Sequence, residues 1–353
     1  MKYRIVSINT KGYSKSASSI LIIYTGGTIG MINDASGALV SFNFREIIDK
    51  IPSLSNFQMK LTVISFPKPL DSSDINPTHW TDLGYIIYEN YNQYDGFVVL
   101  HGTDTMAYSA SALSFILEGL NKPVIFTGAQ LPIGDRRTDA RENLITALEI
   151  ASSKLAGKPI VTEVCIYFGN VLLRGNRSKK VQSLQFSAFE SENYPPLAEA
   201  GILIDFNWPA LLKNENQTLR YHPKFNTEVT ILKLFPGINK LMVESILNIK
   251  NLKGVVLETY GSGNAPSARW FIDCIQKAIN KGIIIFNVSQ ASGGRVIQGK
   301  YETSLILKNI GVLGGSDITT EAAITKMMHL FGVEDSIKSI KQKLITPLVG
   351  EMS

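Results

Sequence analysis

The chain is poor in cysteine: its 353 residues include only Cys165 and Cys274, which lie far apart in apolar segments. Two cysteines in such surroundings are typical of buried free thiols rather than of a disulfide framework. Sparse use of cysteine also fits a protein of a reducing compartment.

Metal-binding and cofactor-binding motifs are missing as well. The four histidines are dispersed along the chain, at His79, His101, His222 and His329. No HExxH or CxxC occurs, and neither does the GxGxxG of dinucleotide-binding proteins or the GxxxxGK[ST] of a P-loop. The GxSxG of the serine hydrolases is also absent. We therefore expect neither a metal nor a cofactor.

Membrane and nucleic-acid partners find little support. No apolar run approaches the roughly 18 residues of a membrane span, and the basic segment before Ile20 lacks the apolar core of a secretory signal. The net charge is +5, but the basic residues are scattered and are not interleaved with aromatic residues. We expect a cytoplasmic protein with no membrane or nucleic-acid partner.

What the chain does contain is an alternation of short apolar runs with longer amphipathic stretches. Near-continuous apolar runs indicate strands that are buried on both faces, as in parallel sheets, and their alternation with helices predicts a doubly wound α/β fold. The strands are predicted at Ile20–Tyr24, Phe97–Leu100, Pro123–Gly128, Val164–Gly169, Val229–Phe235, Gly254–Gly261 and Ile283–Ser289.

The predicted pattern is interrupted near the middle of the chain, where two prolines and many polar residues follow Asp205. At roughly 100–200 residues per domain, the length suggests about two domains. We predict an N-terminal α/β domain at 1–205, a linker at 206–225 and a smaller C-terminal α/β domain at 226–353.

Ligands of open α/β sheets bind outside the carboxyl ends of the strands, so the residues after each strand matter most. TGGTIGM follows the first strand: Gly26 and Gly27 permit a tight turn, from which Thr28 projects. The alternative is a plain strand–helix turn with a capping threonine.

HGTDTM follows the next strand and places Thr103 and Asp104 at its end, with His101 before them. The hydroxyls of Thr103 and Thr105 and the carboxylate of Asp104 are more polar groups than a helix cap needs. The alternative is that Asp104 only caps the following helix. His101 by itself is more typical of a structural histidine than of a catalytic base.

Three further segments carry candidate side chains. Ser72 and Ser73, between Asp71 and Asp74, can hold a carboxylate or form a solvated turn. Ala129 can offer a carbonyl to a ligand. Lys180, after the strand at Val164–Gly169, can move a proton or simply be solvated. A threonine hydroxyl needs a base or a hydrogen-bond network to act as a nucleophile, so the residues alone reach a possible hydroxyl-nucleophile hydrolase and no further.

Taken together, the motifs resemble the bacterial-type L-asparaginases, most closely the cytoplasmic type I branch. The resemblance covers nearly the whole chain, and TGGTIG together with HGTDTM is its most specific part. The matching stretches are YTGGTIGM (Tyr24–Met31), LDSSD (Leu70–Asp74), DGFVVLHGTDTMAYSASALSF (Asp95–Phe115), KPVIFTGAQLP (Lys122–Pro132), RGNRSKK (Arg174–Lys180), YGSGNAP (Tyr260–Pro266) and GGSDITTEAAITK (Gly315–Lys326).

The resemblance implies a larger N-terminal doubly wound α/β domain and a smaller flavodoxin-like C-terminal domain. It also implies hydrolysis of L-asparagine to L-aspartate and ammonia through a covalent acyl-enzyme. Thr28 matches the family's nucleophile, and Thr103, Asp104 and Lys180 match the second catalytic group, which activates hydroxyl or water.

Substrate contacts and assembly are implied in the same way. Asp104 matches the carboxylate that holds the substrate's α-ammonium, and Ser72, between Asp71 and Ser73, matches the segment that binds the α-carboxylate. The carbonyl of Ala129 matches the group that faces the leaving amide. Asn264 matches a position that reaches a neighbouring subunit's site, in homotetramers built as pairs of close dimers.

One departure from the family and several alternatives remain. Many members carry a tyrosine in the loop after TGGTIG, where this chain has Ala38. This leaves the activation of Thr28 open, and Tyr24 cannot be assumed to substitute. The chain could also prefer glutamine, serve as the asparaginase-like subunit of a tRNA-dependent amidotransferase, or be an inactive amino-acid sensor, since fold does not fix function.

Overall fold

The computed structural model describes residues 4–9, 18–33, 39–41, 59–213, 217–299 and 302–353. The chain divides into two compact units, Met1–Pro223 and Lys224–Ser353. The linker at 206–225 and the domain bounds on either side of it stay a prediction. In the described parts of the chain, no helix is long and apolar enough to cross a membrane.

The first unit is built on one large sheet with three helices among its described residues. Its helices are α1 (Pro77–Asn90), α2 (Met106–Ile116) and α3 (Ala140–Ser152). Its strands are β1 (Arg4–Asn9), β2 (Ser18–Gly26), β3 (Met31–Asn33), β4 (Leu39–Ser41), β5 (Met59–Leu70), β6 (Gly96–Leu100), β7 (Leu117–Glu118), β8 (Val124–Thr127), β9 (Lys154–Leu155), β10 (Lys158–Pro159), β11 (Val164–Phe168), β12 (Val171–Arg174), β13 (Lys179–Lys180), β14 (Phe189–Glu190), β15 (Ala198–Ala200), β16 (Ile204–Phe206) and β17 (Arg220–Tyr221).

The strand order of the large sheet is β1-β5-β2-β6-β8-β11-β12-β15-β16. Its middle, from β5 to β11, is parallel, whereas β1 and the strands beyond β11 run antiparallel to their neighbours. The parallel strands have apolar side chains on both faces, which explains their continuous apolar runs. Every residue of β6, β8 and β11 is buried.

Helices cover this sheet on both faces. Alternate residues of a strand point to opposite faces, and Ile20, Ile22 and Val98 share one core with Leu144 and Leu148 of α3. The helix α2 contacts β11, and its own buried residues lie outside that core. This arrangement confirms the doubly wound α/β fold predicted for the N-terminal part.

The second unit has a smaller sheet, whose four strands are all parallel in the order β18-β19-β20-β21. These strands are β18 (Val229–Lys233), β19 (Gly254–Thr259), β20 (Ile284–Ser289) and β21 (Leu313–Gly314). The helices are α4 (Lys240–Leu247), α5 (Arg269–Asn280), α6 (Glu302–Asn309), α7 (Thr320–Val333) and α8 (Ile337–Leu344). A parallel sheet with crossover helices confirms the predicted second α/β unit.

One predicted detail is wrong. Asp104 does not cap α2: the N-cap residue is Thr105, without a side-chain cap bond, and the Asp104 carboxylate instead accepts a hydrogen bond from Lys180. The cause is the ammonium group of Lys180, which comes from the strand β13, distant in sequence. A local helix-start pattern cannot show such a contact.

A fully buried ion pair anchors the C-terminal end of the second unit. Lys326 of α7 donates from Nζ to Glu351 at 2.6 Å and to the carbonyls of Leu344 and Thr346 at 3.0 and 2.8 Å. Both charged side chains are 0% exposed. The Glu351 carboxylate also accepts the Leu348 amide at 3.0 Å. Lys326 therefore ties the last residues of the chain to α7.

We expect Lys326→Met to lower the free energy of unfolding by about 3–5 kcal/mol, because removing one partner of a buried pair leaves the other charge unpaired. Lys343→Met is the matched control: it breaks the half-exposed pair of Lys343 with Glu334, and exposed pairs contribute about 0–1 kcal/mol. Urea unfolding of the full chain measures both. Equal losses in the two variants would contradict the anchoring role of Lys326.

Candidate active site

Thr28 lies in a tight turn at the carboxyl end of β2. The turn is a short 3-10 helix, Thr28–Gly30, closed by the Gly30 amide, which donates to the Gly27 carbonyl at 3.2 Å. Gly27 has φ +86°, a backbone conformation that favours glycine. A Cβ at Gly27 would lie 2.5 Å from the Gly102 nitrogen and 2.6 Å from its Cα. Thr28 is therefore held beside the turn that follows β6.

Close contacts of this kind join three strand ends. A Cβ at Gly26 would lie 2.2 Å from the carbonyl oxygen of Leu70, and one at Gly102 would lie 2.7 Å from the Cβ of Ser72. The backbone at Gly26 thus lies directly against that of Leu70, and the backbone at Gly102 lies directly against the side chain of Ser72. These contacts bring together the segments that carry Thr28, Ser72 and Thr103.

The second cluster of polar groups is centred on Lys180, which β13 supplies through its antiparallel pairing with β14. The Lys180 ammonium donates to Thr103 Oγ1 at 2.7 Å and to Asp104 Oδ1 at 2.7 Å. The Lys180 side chain is 17% exposed and that of Asp104 is 67% exposed. Three of the four predicted catalytic residues therefore form one hydrogen-bonded group that opens to solvent at its carboxylate.

The serine segment after β5 is itself a 3-10 turn, Ser72–Asp74. Asp71 caps the turn by accepting the backbone amide and the hydroxyl of Ser73 at 2.8 and 2.7 Å. These two bonds hold the pKa of Asp71 below its usual value, the backbone bond contributing most. Ser72 is buried, and its carbonyl accepts from Thr105 Oγ1 at 2.6 Å. Asp71 and Ser73 thus hold the turn in which Ser72 lies.

Ala129 is buried in the loop after β8, and two residues that the sequence analysis did not select hold that loop. Asp139 accepts the amides of Gln130 and Leu131 at 3.0–3.1 Å. Asn143 donates from Nδ2 to the Gly128 carbonyl at 3.0 Å. A signal for both existed: these polar residues lie on the buried face of the helix α3, whose N-cap is Asp139.

His101 fixes the turn that carries Thr103. It is 1% exposed, Nδ1 lies 2.7 Å from the Gly102 carbonyl, and Nε2 lies 2.9 Å from Ser109 Oγ, which accepts from Trp80 Nε1 at 3.0 Å. Burial lowers the pKa of His101 to about 4, so the ring is neutral near pH 7 and donates through Nδ1–H. This is the environment expected of a structural histidine.

Two of the positions singled out in the sequence, Asn264 and Ala38, are not among the described residues of the first unit. Asn264 belongs to the second unit, where its amide and the Tyr260 amide each donate to the other residue's carbonyl at 2.9 Å in a tight turn after β19. Ala38 lies outside the described residues. The candidate site of the first unit therefore consists of Thr28, Ser72, Thr103, Asp104, Ala129 and Lys180.

The chemistry of these groups is that of nucleophilic and acid–base catalysis. Two threonine hydroxyls, a lysine in contact with one of them and an accessible carboxylate can attack an acyl carbon and move protons. Within the described ranges, no three His, Cys, Asp or Glu side chains are placed so that they could hold a metal ion.

We expect the free energy of unfolding to fall as the pH drops from 6.5 towards 4, because the unfolded chain takes up a proton on His101 in that range and the folded chain does not. His101→Gln removes this contribution, so the difference in stability between wild type and variant shrinks over the same window. Chemical unfolding at a series of pH values measures it. A difference that is constant between pH 6.5 and 4 would contradict the burial of a neutral histidine.

Comparisons with known proteins identify the family of the chain. The family model "Asparaginase, N-terminal" matches residues 19–212, and "Glutaminase/Asparaginase C-terminal domain" matches residues 228–344. The chain is 40% identical to L-asparaginase 1 of Escherichia coli (strain K12), over 95% of this chain and 98% of that protein. It is 36% identical to the 60 kDa lysophospholipase of Mus musculus, over 95% of this chain and 62% of that protein.

A solved structure gives the same result. L-asparaginase I of Vibrio cholerae superposes with a TM-score of 0.87 at 36% identity, covering 96% of this chain and all of the other. With both units matched by their family models and with L-asparaginase 1 of Escherichia coli aligned over nearly its full length, this chain belongs to the asparaginase family.

Proposed function

We propose that the chain is an L-asparagine amidohydrolase, which forms L-aspartate and ammonia through an acyl-enzyme on Thr28. The observation that carries the proposal is the Lys180 contact with both Thr103 and Asp104, beside a Thr28 turn whose backbone packs against Gly102. The 40% identity to an L-asparaginase 1 supports it.

The first half of the reaction forms the acyl-enzyme. Thr28 Oγ1 attacks the side-chain amide carbon, its proton passes to the hydrogen-bonded groups of the site, and the C–N bond breaks as the nitrogen takes up a proton and leaves as ammonia. The developing oxyanion needs preorganised donors, for which the backbone amides near Thr28 and Thr103 are the candidates; loss of one such donor typically costs about 2.7–4 kcal/mol.

The second half releases aspartate. Lys180 and Thr103 activate a water, which attacks the ester carbonyl, and the Thr28 oxygen leaves with a proton. A lysine held between a hydroxyl and a carboxylate at 2.7 Å from each is suited to pass a proton between them.

A zwitterionic substrate requires one anion and one set of donors for its orientation. We assign the accessible Asp104 carboxylate to the α-ammonium, the Ser72 segment to the α-carboxylate, and the Ala129 carbonyl to the amide nitrogen. Asn264 is assigned to the site of a neighbouring subunit, and so we propose a homodimer or homotetramer. We also propose that the protein acts in the cytoplasm.

The direct test is ammonia release by the purified protein from L-asparagine and, separately, from L-glutamine. We expect release from L-asparagine, and we expect Lys180→Met to lower kcat by about 10²–10⁴-fold because general acid–base catalysis contributes about that much. Lys179→Met is the control: it removes the same charge from the adjacent residue of β13, whose side chain points to the opposite face, and it should change kcat by less than about two-fold.

Other outcomes separate the alternatives. Faster release from L-glutamine would identify a glutamine-preferring amidohydrolase. The two substrates differ by one methylene group, which changes the free energy of transition-state binding by only about 1–3 kcal/mol. Binding of L-asparagine without ammonia release would reject the enzyme and favour an amino-acid sensor.

A further inference from the structure

The ring of Tyr24 joins β2 to the far end of the turn that carries Thr28. Tyr24 is 2% exposed and belongs to the core formed with Ile29 and Ile133. Its hydroxyl donates to the Gly30 carbonyl at 3.2 Å. The side chain therefore spans the whole of the Thr28–Gly30 turn from the strand that precedes it.

The contact explains why residue 30 is glycine. A Cβ at Gly30 would lie 2.0 Å from the Tyr24 hydroxyl oxygen and 2.3 Å from Cζ, distances that no real side chain could adopt. Gly30 is not among the glycines with positive φ, so the position of the tyrosine ring, rather than the backbone conformation, excludes a side chain. Tyr24 and Gly30 form a matched pair.

Backbone hydrogen bonds also hold the turn. The Gly30 amide donates to Gly27, the Met31 amide donates to Thr28, and Gly27 at the N-cap has no side chain that could add a bond. The Tyr24 hydroxyl thus fixes the end of the turn that is farthest from the Gly27–Gly102 contact. A turn held at both ends can point the Thr28 hydroxyl in one direction.

We infer that Tyr24 is a positioning residue of the nucleophile, which holds the Thr28 turn through the Gly30 carbonyl; the inference rests on the proposed function of Thr28. Misplacement of a reacting group by about 1 Å can cost on the order of 10²-fold in rate. Loss of one hydrogen bond with the ring retained should shift the turn by less than that and cost correspondingly less.

Tyr24 acts through geometry and not as an acid or a base. Burial raises the pKa of Tyr24 to about 12, and its proton is directed to a carbonyl oxygen. It therefore stays neutral at the pH of turnover and does not replace, as a proton carrier, the tyrosine that many family members have at the position of Ala38.

The test compares two tyrosines in the same unit. Tyr24→Phe should lower kcat for L-asparagine about 10-fold, leave KM within about two-fold and leave the shape of the pH–rate profile unchanged. Tyr91→Phe is the matched control: Tyr91 is also buried, donates to Asn121 Oδ1 at 2.7 Å, and has a pKa raised to about 12 by burial. Tyr91 precedes β6 and so lies at the amino ends of the parallel strands, whereas Thr28 lies at their carboxyl ends. Tyr91→Phe should therefore destabilise the fold without lowering kcat.

A second pair of variants tests the contact itself. Gly30→Ala should lower both kcat and the midpoint of thermal unfolding, and Tyr24→Leu should restore part of the thermal stability in the Gly30→Ala background because the shorter side chain makes room for the methyl group. If the shifts in unfolding midpoint of Gly30→Ala and Tyr24→Leu do not add up in the double variant, the contact is supported. This result is independent of activity: a wild type that releases no ammonia would reject the proposed function but not the contact. Equal kcat values for Tyr24→Phe and Tyr91→Phe, or additive midpoints, would overturn the inference.

Discussion

The close approach of two turns, Gly27 against Gly102, is the constraint on which the site depends. The two turns follow neighbouring parallel strands, and their backbones come so near that a methyl group at Gly27 would lie 2.5 Å from the Gly102 nitrogen. Thr28 follows Gly27 and Thr103 follows Gly102, so both threonines lie at the carboxyl ends of the parallel strands. Any side chain at position 27 would push the two turns apart.

Around that contact, each remaining group is held by its own small network. Asp71 holds the Ser72 turn, Asp139 and Asn143 hold the loop of Ala129, and His101 holds the carbonyl of Gly102. Lys180 comes from outside the central sheet and joins Thr103 to Asp104. The polar groups assigned to the substrate in the proposed reaction are thus held in place by neighbouring polar groups, of which His101, Asp139 and Asn143 are buried and Asp71 is exposed.

Much of this arrangement could be predicted from sequence. Continuous apolar runs located β2, β6, β8 and β11 but missed β5, whose apolar residues are interrupted by polar residues and prolines. The rule that ligands bind at the carboxyl ends of parallel strands directed attention to Thr28, Thr103 and Ala129. Lys180 was a candidate from the residues alone, the family resemblance implied a catalytic role for it, and its ammonium lies within hydrogen-bond distance of Thr103 and Asp104. The catalytic roles of these residues stay predictions.

The rest depends on contacts between residues that are distant in sequence. Asp104 was expected to be able to cap α2, because nothing local shows that Lys180 lies 2.7 Å away. Tyr24 ends an apolar run, and nothing in the sequence indicates that its hydroxyl donates to the Gly30 carbonyl. Asp139 and Asn143 belong to an amphipathic helix, where single polar residues are common. In each case the missing information is which side chain meets which backbone group.

The most direct test of the account is to identify the residue that carries the acyl group. The protein is mixed with L-asparagine, quenched with acid during turnover, digested, and its peptides are analysed by mass spectrometry. We predict that the peptide containing Thr28 gains the mass of one aspartyl group and that the adduct is missing in Thr28→Ala. An aspartyl adduct on the peptide containing Thr103 instead would contradict the assignment of Thr28 as the nucleophile.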